Sequence, residues 1–142
     1  MNERILLVDD NEDFLDSTKD VLELEGFDVY TASSGEEAVM YTGTQSFDII
    51  LMDIKMPGMN GVESFIEIKK QNPGVKVIMV TAYSVKGLMQ QALREGAIAV
   101  LQKPVELDRL FKSISDAINN GKGGLILVAD DDKELCLSLI HI

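Results

Sequence analysis

The chain has one cysteine, Cys136, one histidine, His141, no tryptophan and three prolines. A single thiol excludes an internal disulfide framework and suits a reducing compartment, so a cytoplasmic location is expected. Basic residues are scarce. Only 13 Lys and Arg stand against 24 Asp and Glu, for a net charge of −11. So acidic a segment repels a phosphate backbone, and direct nucleic-acid binding is not expected. No apolar run reaches the roughly 18 residues of a membrane helix. No basic stretch leads into an apolar one at the N-terminus, so neither a membrane span nor a signal peptide is expected. What is present is 142 residues, 46% hydrophobic and 26% charged, which is the composition of one globular domain.

Short apolar runs alternate with segments of helical period. Strands are expected over 5–8, 27–31, 47–52, 75–80 and 98–101. Between them, helices are expected over 12–25, from Ser34, over 62–70 and over 84–94. Ser34 and Glu37 suggest a capping box. Helix 1 presents Phe14, Leu15, Thr18, Val21 and Leu22 on one face. Helix 4 presents Val85, Leu88, Met89, Ala92 and Leu93. The last helix carries Leu107, Leu110, Phe111, Ile114, Ala117 and Ile118 at amphipathic spacing. Gly26 and Gly96 mark helix ends, and 72–74 reads as a turn. The strands are continuous apolar runs, as burial on both sheet faces requires. Alternating strands and helices of this kind predict an α/β fold with a parallel sheet.

In such sheets ligands bind beyond the carboxyl ends of the strands. The expected ends carry Asp9 and Asp10, then Asp53, then Thr81, with Lys103 just past the last strand. Singly, an Asp pair is most often a turn or a cap, and Lys-Pro is a helix-start signal. Together they bring complementary chemistry to one edge. Two carboxylates about 5 Å apart repel by about 3 kcal/mol at an effective dielectric near 20. Such a cluster calls for a hard divalent cation, Mg²⁺ before others, and the absence of His and Cys from the set argues against zinc. A metal, a carboxylate, a hydroxyl and an ammonium together fit phosphoryl transfer, with a carboxylate as nucleophile.

These residues strongly resemble the receiver domain of two-component response regulators. The matching pieces are Ile-Leu-Leu-Val-Asp-Asp at 5–10, Leu-Met-Asp-Ile-Lys-Met-Pro-Gly-Met-Asn-Gly at 51–61, Thr81-Ala82 and Lys103-Pro104. The resemblance covers about 4–120. It implies a flavodoxin-like (βα)5 sandwich with strand order 2-1-3-4-5. It implies that Asp53 accepts a phosphoryl group from a phosphohistidine of a histidine kinase or phosphotransfer protein. Mg²⁺ would be held by Asp9, Asp10, Asp53 and the backbone carbonyl of Lys55. Thr81 and Lys103 would contact the phosphoryl group, and Lys103–Pro104 would be a cis bond. Phosphorylation would switch the face of helix 4, strand 5 and helix 5, which is also a candidate homodimer surface. Val100 stands where many receivers carry Tyr or Phe, which removes the usual aromatic switch. Lys55 and Tyr83 occupy positions that tune hydrolysis of the phosphoryl group in the family.

A receiver accounts for residues 1–120. A Gly-rich linker is expected over 121–124, followed by a second acidic run after an apolar one. At an offset of 121, Asp9 and Asp10 align with Asp130 and Asp131, and Ser17 with Ser138. Residues 125–142 therefore read as the start of a second receiver-like unit or a C-terminal tail, and the tail is a second candidate for self-association. A tandem-receiver regulator or a hybrid histidine kinase is the expected parent. Lone His141 reads as incidental. The alternatives are a phosphorylation-independent interaction module, a Mg²⁺-dependent aspartyl-phosphate phosphatase and a flavin binder. The phosphatase reading is weakened because Asp9 and Asp10 are adjacent rather than in an Asp-x-Asp arrangement. The flavin reading is weakened by the lack of Trp and of a phosphate loop after strand 1.

Overall fold

A computed structural model describes residues 3–82 and 86–119. The expectations for Tyr83, Ser84, Val85, Cys136, His141, the linker and the C-terminal repeat lie outside the described residues. Five strands and five helices alternate: β1 Arg4–Val8, α1 Glu12–Leu24, β2 Asp28–Ala32, α2 Gly35–Thr44, β3 Ile49–Met52, α3 Gly61–Gln71, β4 Val77–Thr81, α4 Lys86–Arg94, β5 Ala99–Gln102 and α5 Leu107–Asn119. All strand pairs are parallel, in the order β2-β1-β3-β4-β5. This is the flavodoxin-like order, and it reverses at β1 and β3.

The apolar runs are continuous because each strand feeds two cores. Leu6, Val8, Ile50, Met52 and Met79 face α2, α3 and α4, where they meet Ala38, Val62, Phe65, Ile68, Met89 and Ala92. Ile5, Leu7, Ile49, Leu51 and Ile78 face α1 and α5, against Leu15, Leu22, Leu110, Ile114 and Ala117. Neighbouring residues on a strand point to opposite faces, so both sets must be apolar.

Four expected strands start later than their apolar runs: β2 begins at Asp28 rather than Phe27, and β3, β4 and β5 are likewise displaced. Phe47 belongs to the predicted third strand but precedes β3. Its ring packs edge-on against Tyr30, with the Arg4 guanidinium over both rings. Val75 is tied into the turn by its N–H to the Asn72 carbonyl, so β4 begins at Val77 and runs through Thr81. Ile98 lies just outside β5, which extends to Gln102. Leu107 belongs to the predicted apolar face of α5 but is 47% exposed, because it opens the helix ahead of the first buried position at Leu110.

The capping expectation at Ser34 holds by half. The Ser34 hydroxyl accepts the Glu37 N–H, but the Glu37 carboxylate accepts from Ser33 rather than from Ser34. A complete capping box forms instead at Asn60 and Glu63, where α3 begins.

Candidate functional site: an acidic cleft at the sheet switch point

Parallel pairing of β1 with β3 matches Val8 to Met52 and so carries Asp9 and Asp53 to the same edge. The Asp53 N–H donates to the Val8 carbonyl at 2.9 Å, and the Asp9 N–H to the Ala32 carbonyl at 3.1 Å. These backbone bonds continue the sheet past its formal end. Both side chains are buried, whereas Asp10 is exposed. One carboxylate oxygen from each of Asp9, Asp10 and Asp53 lies within 4.8 Å of the others.

Lys103 reaches this cluster from the end of β5. Its N–H donates to the Thr81 carbonyl at 2.8 Å, which links the ends of β4 and β5. The following peptide bond to Pro104 is cis, as the resemblance implies. The Lys103 ammonium sits 2.5 Å from Asp9 Oδ2 and 3.8 Å from Asp53 Oδ2. Thr81 is fully buried at the end of β4.

Electrostatics single out Asp53. Burial pushes its carboxyl up to about 6, and the neighbouring Asp9 charge adds to that rise. Lys103 and a backbone hydrogen bond from Lys55 oppose it. Asp53 Oδ1 is buried without a hydrogen-bond partner. A buried carboxylate oxygen left unsatisfied is costly, and it fits a position where a ligand completes the shell. Asp53 lines a cleft of about 680 Å³ whose walls include Asp10, Lys55, Met56, Asn60, Ala82 and Leu88.

The donor set suits a hard cation. It consists of three carboxylates, with no imidazole or thiolate among the described residues nearby. The orphaned Asp53 oxygen agrees with that fit.

Three residues make contacts around the cleft that their sequence pattern does not announce. Asn11 caps α1, accepting the Phe14 N–H, while its own N–H donates to Asp9 Oδ1 at 2.9 Å. Its place directly before the helix is the usual cap signal. The spacing places Phe14 on the core face, and its ring also lies beneath the Lys103 ammonium. Gly61 brings the start of α3 against the Asp53 backbone.

The family model for the response regulator receiver domain matches residues 5–115. A response regulator receiver protein of Anaeromyxobacter sp. (strain Fw109-5) is 37% identical over 108 residues, covering 76% of this chain and 45% of that protein. The chain therefore spans less than half the length of that relative. A solved CheY-like receiver domain protein from Methanospirillum hungatei JF-1 matches with a TM-score of 0.83 at 37% identity, covering 86% of this chain and 98% of that one. The receiver domain of the sensor histidine kinase PA1611 from Pseudomonas aeruginosa PAO1 matches at 29% identity and a TM-score of 0.77, over 84% of this chain and 99% of that one. That structure has a magnesium ion coordinated in its active site cleft. No described helix is long and apolar enough to cross a membrane. With its two-cored parallel sheet and its acidic cleft at the switch point, the chain belongs to the response regulator receiver domain family.

Proposed function

We propose that this chain is the phosphoacceptor module of a two-component phosphorelay and that Asp53 is the accepting residue. The observation that carries this reading is the Asp53 carboxylate itself. One of its oxygens is buried and unpartnered, while the other lies 3.8 Å from the Lys103 ammonium. An oxygen of Asp53 attacks the phosphorus of a partner's phosphohistidine. The P–N bond breaks, and the released imidazole takes up a proton. Asp9, Asp10, Asp53 and the backbone carbonyl of Lys55 would hold Mg²⁺. When bound, that ion neutralises phosphoryl oxygens. Lys103 leaves Asp9 for a phosphoryl oxygen as the new charge develops, and the Thr81 hydroxyl turns toward the same group.

The added group brings about −1.5 to −2 charge into the cleft. Its contacts with Thr81 and Lys103 bias the face built by α4, β5 and α5. Val100 is buried in β5, so the response runs through Thr81 and the packing of α4 rather than through a swinging ring. Residues 125–142 are the proposed start of a second receiver-like unit joined by 121–124. The repeated Asp pair at 130–131 supports that reading.

Incubation with acetyl phosphate and Mg²⁺, read by intact mass, tests the assignment. One phosphoryl group is expected on the parent chain and none on Asp53→Ala. A phosphoryl group that persists on Asp53→Ala overturns it.

A further inference from the structure

We propose that Phe14 is a positioning residue that holds Lys103 in the cleft, an inference that rests on the phosphoacceptor reading above. The Lys103 ammonium lies 4.0 Å from the centroid of the Phe14 ring, over its face. That is close contact for a cation and an aromatic ring. The two residues belong to a closed circuit. Asp9 Oδ2 accepts from Lys103, and Asp9 Oδ1 accepts from the Asn11 N–H at 2.9 Å. The Asn11 side chain accepts from the Phe14 N–H at 3.1 Å, and the Phe14 ring returns to Lys103. The cap of α1 thus sets the height of the ring against the ammonium.

The ring does something a carboxylate cannot do there. In the proposed reaction Asp9 is claimed by the metal, and its hold on Lys103 weakens just when the lysine is needed. Phe14 is neutral and does not compete for the metal. Its negative face retains the ammonium while Lys103 moves the short distance from Asp9 toward the group on Asp53. The ring also covers one side of the ammonium, whose side chain is only 16% exposed. An aliphatic side chain fills the same space but offers no such attraction.

Beryllofluoride, a phosphoryl mimic, is titrated into the full chain at saturating Mg²⁺ by calorimetry. The parent is compared with Phe14→Leu, Phe14→Met and Phe14→Tyr. Phe14→Leu and Phe14→Met are expected to weaken beryllofluoride binding about three- to tenfold, while Phe14→Tyr stays close to the parent. The Kd for Mg²⁺ alone is expected to stay within about twofold, because neither variant touches a carboxylate. In a Lys103→Met background the same Phe14 changes are expected to have no further effect, since the interaction needs both partners. In the parent, the Lys103 Hε resonances are expected upfield of the other lysines through the ring current.

Unchanged beryllofluoride affinity in Phe14→Leu overturns the proposal, as does an equal loss in the Lys103→Met background. Lys103 Hε signals at ordinary shifts overturn it without any variant having to fold. If the parent chain itself fails to bind beryllofluoride, the phosphoacceptor reading falls. The ring-current measurement then still reports whether the contact exists.

Discussion

A Cβ placed on Gly61 would stand 2.2 Å from the carbonyl oxygen of Asp53 and 2.8 Å from the Ile54 Cα. Both atoms belong to the backbone, so no side chain can swing aside to make room. The Gly61 N–H also donates to the Ile54 carbonyl at 2.7 Å. The start of α3 therefore rests directly on the segment that carries the proposed phosphoacceptor.

Gly61→Ala is expected to cost about 2–4 kcal/mol in urea unfolding, because the only relief is a backbone shift. The same shift moves Asp53, so labelling by acetyl phosphate should slow by about tenfold or more. A fully stable variant with normal labelling would show that the loop yields freely.

The Asp53 carboxyl, pushed up to about 6, makes a stability prediction with a definite sign. The folded chain holds the Asp53 proton more tightly than the unfolded chain does. The neutral carboxyl therefore favours folding at low pH, and this contribution is lost as pH rises from about 4 through about 6. At neutral pH without metal, Asp53→Asn should be more stable than the parent by about 1–3 kcal/mol, and the gap should close near pH 4. Melting curves in chelator across this range check it. Parallel curves for parent and variant would contradict it. Added Mg²⁺ should stabilise the parent far more than the variant.

Lys103 compensates a buried carboxylate, so its removal should look different with and without metal. In chelator, Lys103→Met leaves Asp9 without its ion-pair partner and should cost about 2–4 kcal/mol, somewhat less than for a fully buried pair. The loss should shrink as pH falls through about 6 and the Asp53 carboxyl takes up its proton. Mg²⁺ should bind this variant more tightly than it binds the parent, because one competing cation is gone. Yet phosphorylation should fall, since the phosphoryl group loses its ammonium partner. Weaker Mg²⁺ binding by calorimetry would refute the competition.

The site was legible where chemistry interrupted a pattern. Asp9 and Asp53 each stop an apolar run, and although either acid alone reads as a turn or a cap, together with Thr81 and Lys103 they mark one edge of the sheet. Lys103 is legible from its place just past the last apolar run. The two-faced burial of the sheet was legible in the unbroken runs at 5–8 and 49–52. Strand starts were less so. Phe47 and Val75 are as apolar as strand residues, and only Arg4 and the Asn72 turn reveal that they pack outside the ladder. The second role of Phe14 is hidden for a related reason. Its helical spacing announces a core residue, which it partly is, and nothing in the local sequence shows that a lysine 89 positions later lies over its ring. Gly61 reads as loop punctuation, since close approach of two backbones leaves no periodic signature.

Gly87 supplies the contrast to Gly61. It lies within α4, and a Cβ there would meet nothing within 4 Å. Glycine in a helix interior costs about 0.5–1 kcal/mol relative to alanine, through the backbone freedom it retains in the unfolded chain. Gly87 is the second residue of α4 rather than an interior one, so Gly87→Ala should stabilise the chain by up to about 0.5 kcal/mol in urea unfolding. The proposed switch acts through the face that includes α4, so the gain should be compared with and without beryllofluoride and Mg²⁺. If both states keep the helix over Lys86–Arg94, the increment is equal in the two. An increment that shrinks sharply in the beryllofluoride state would mean that this turn of α4 rearranges on activation.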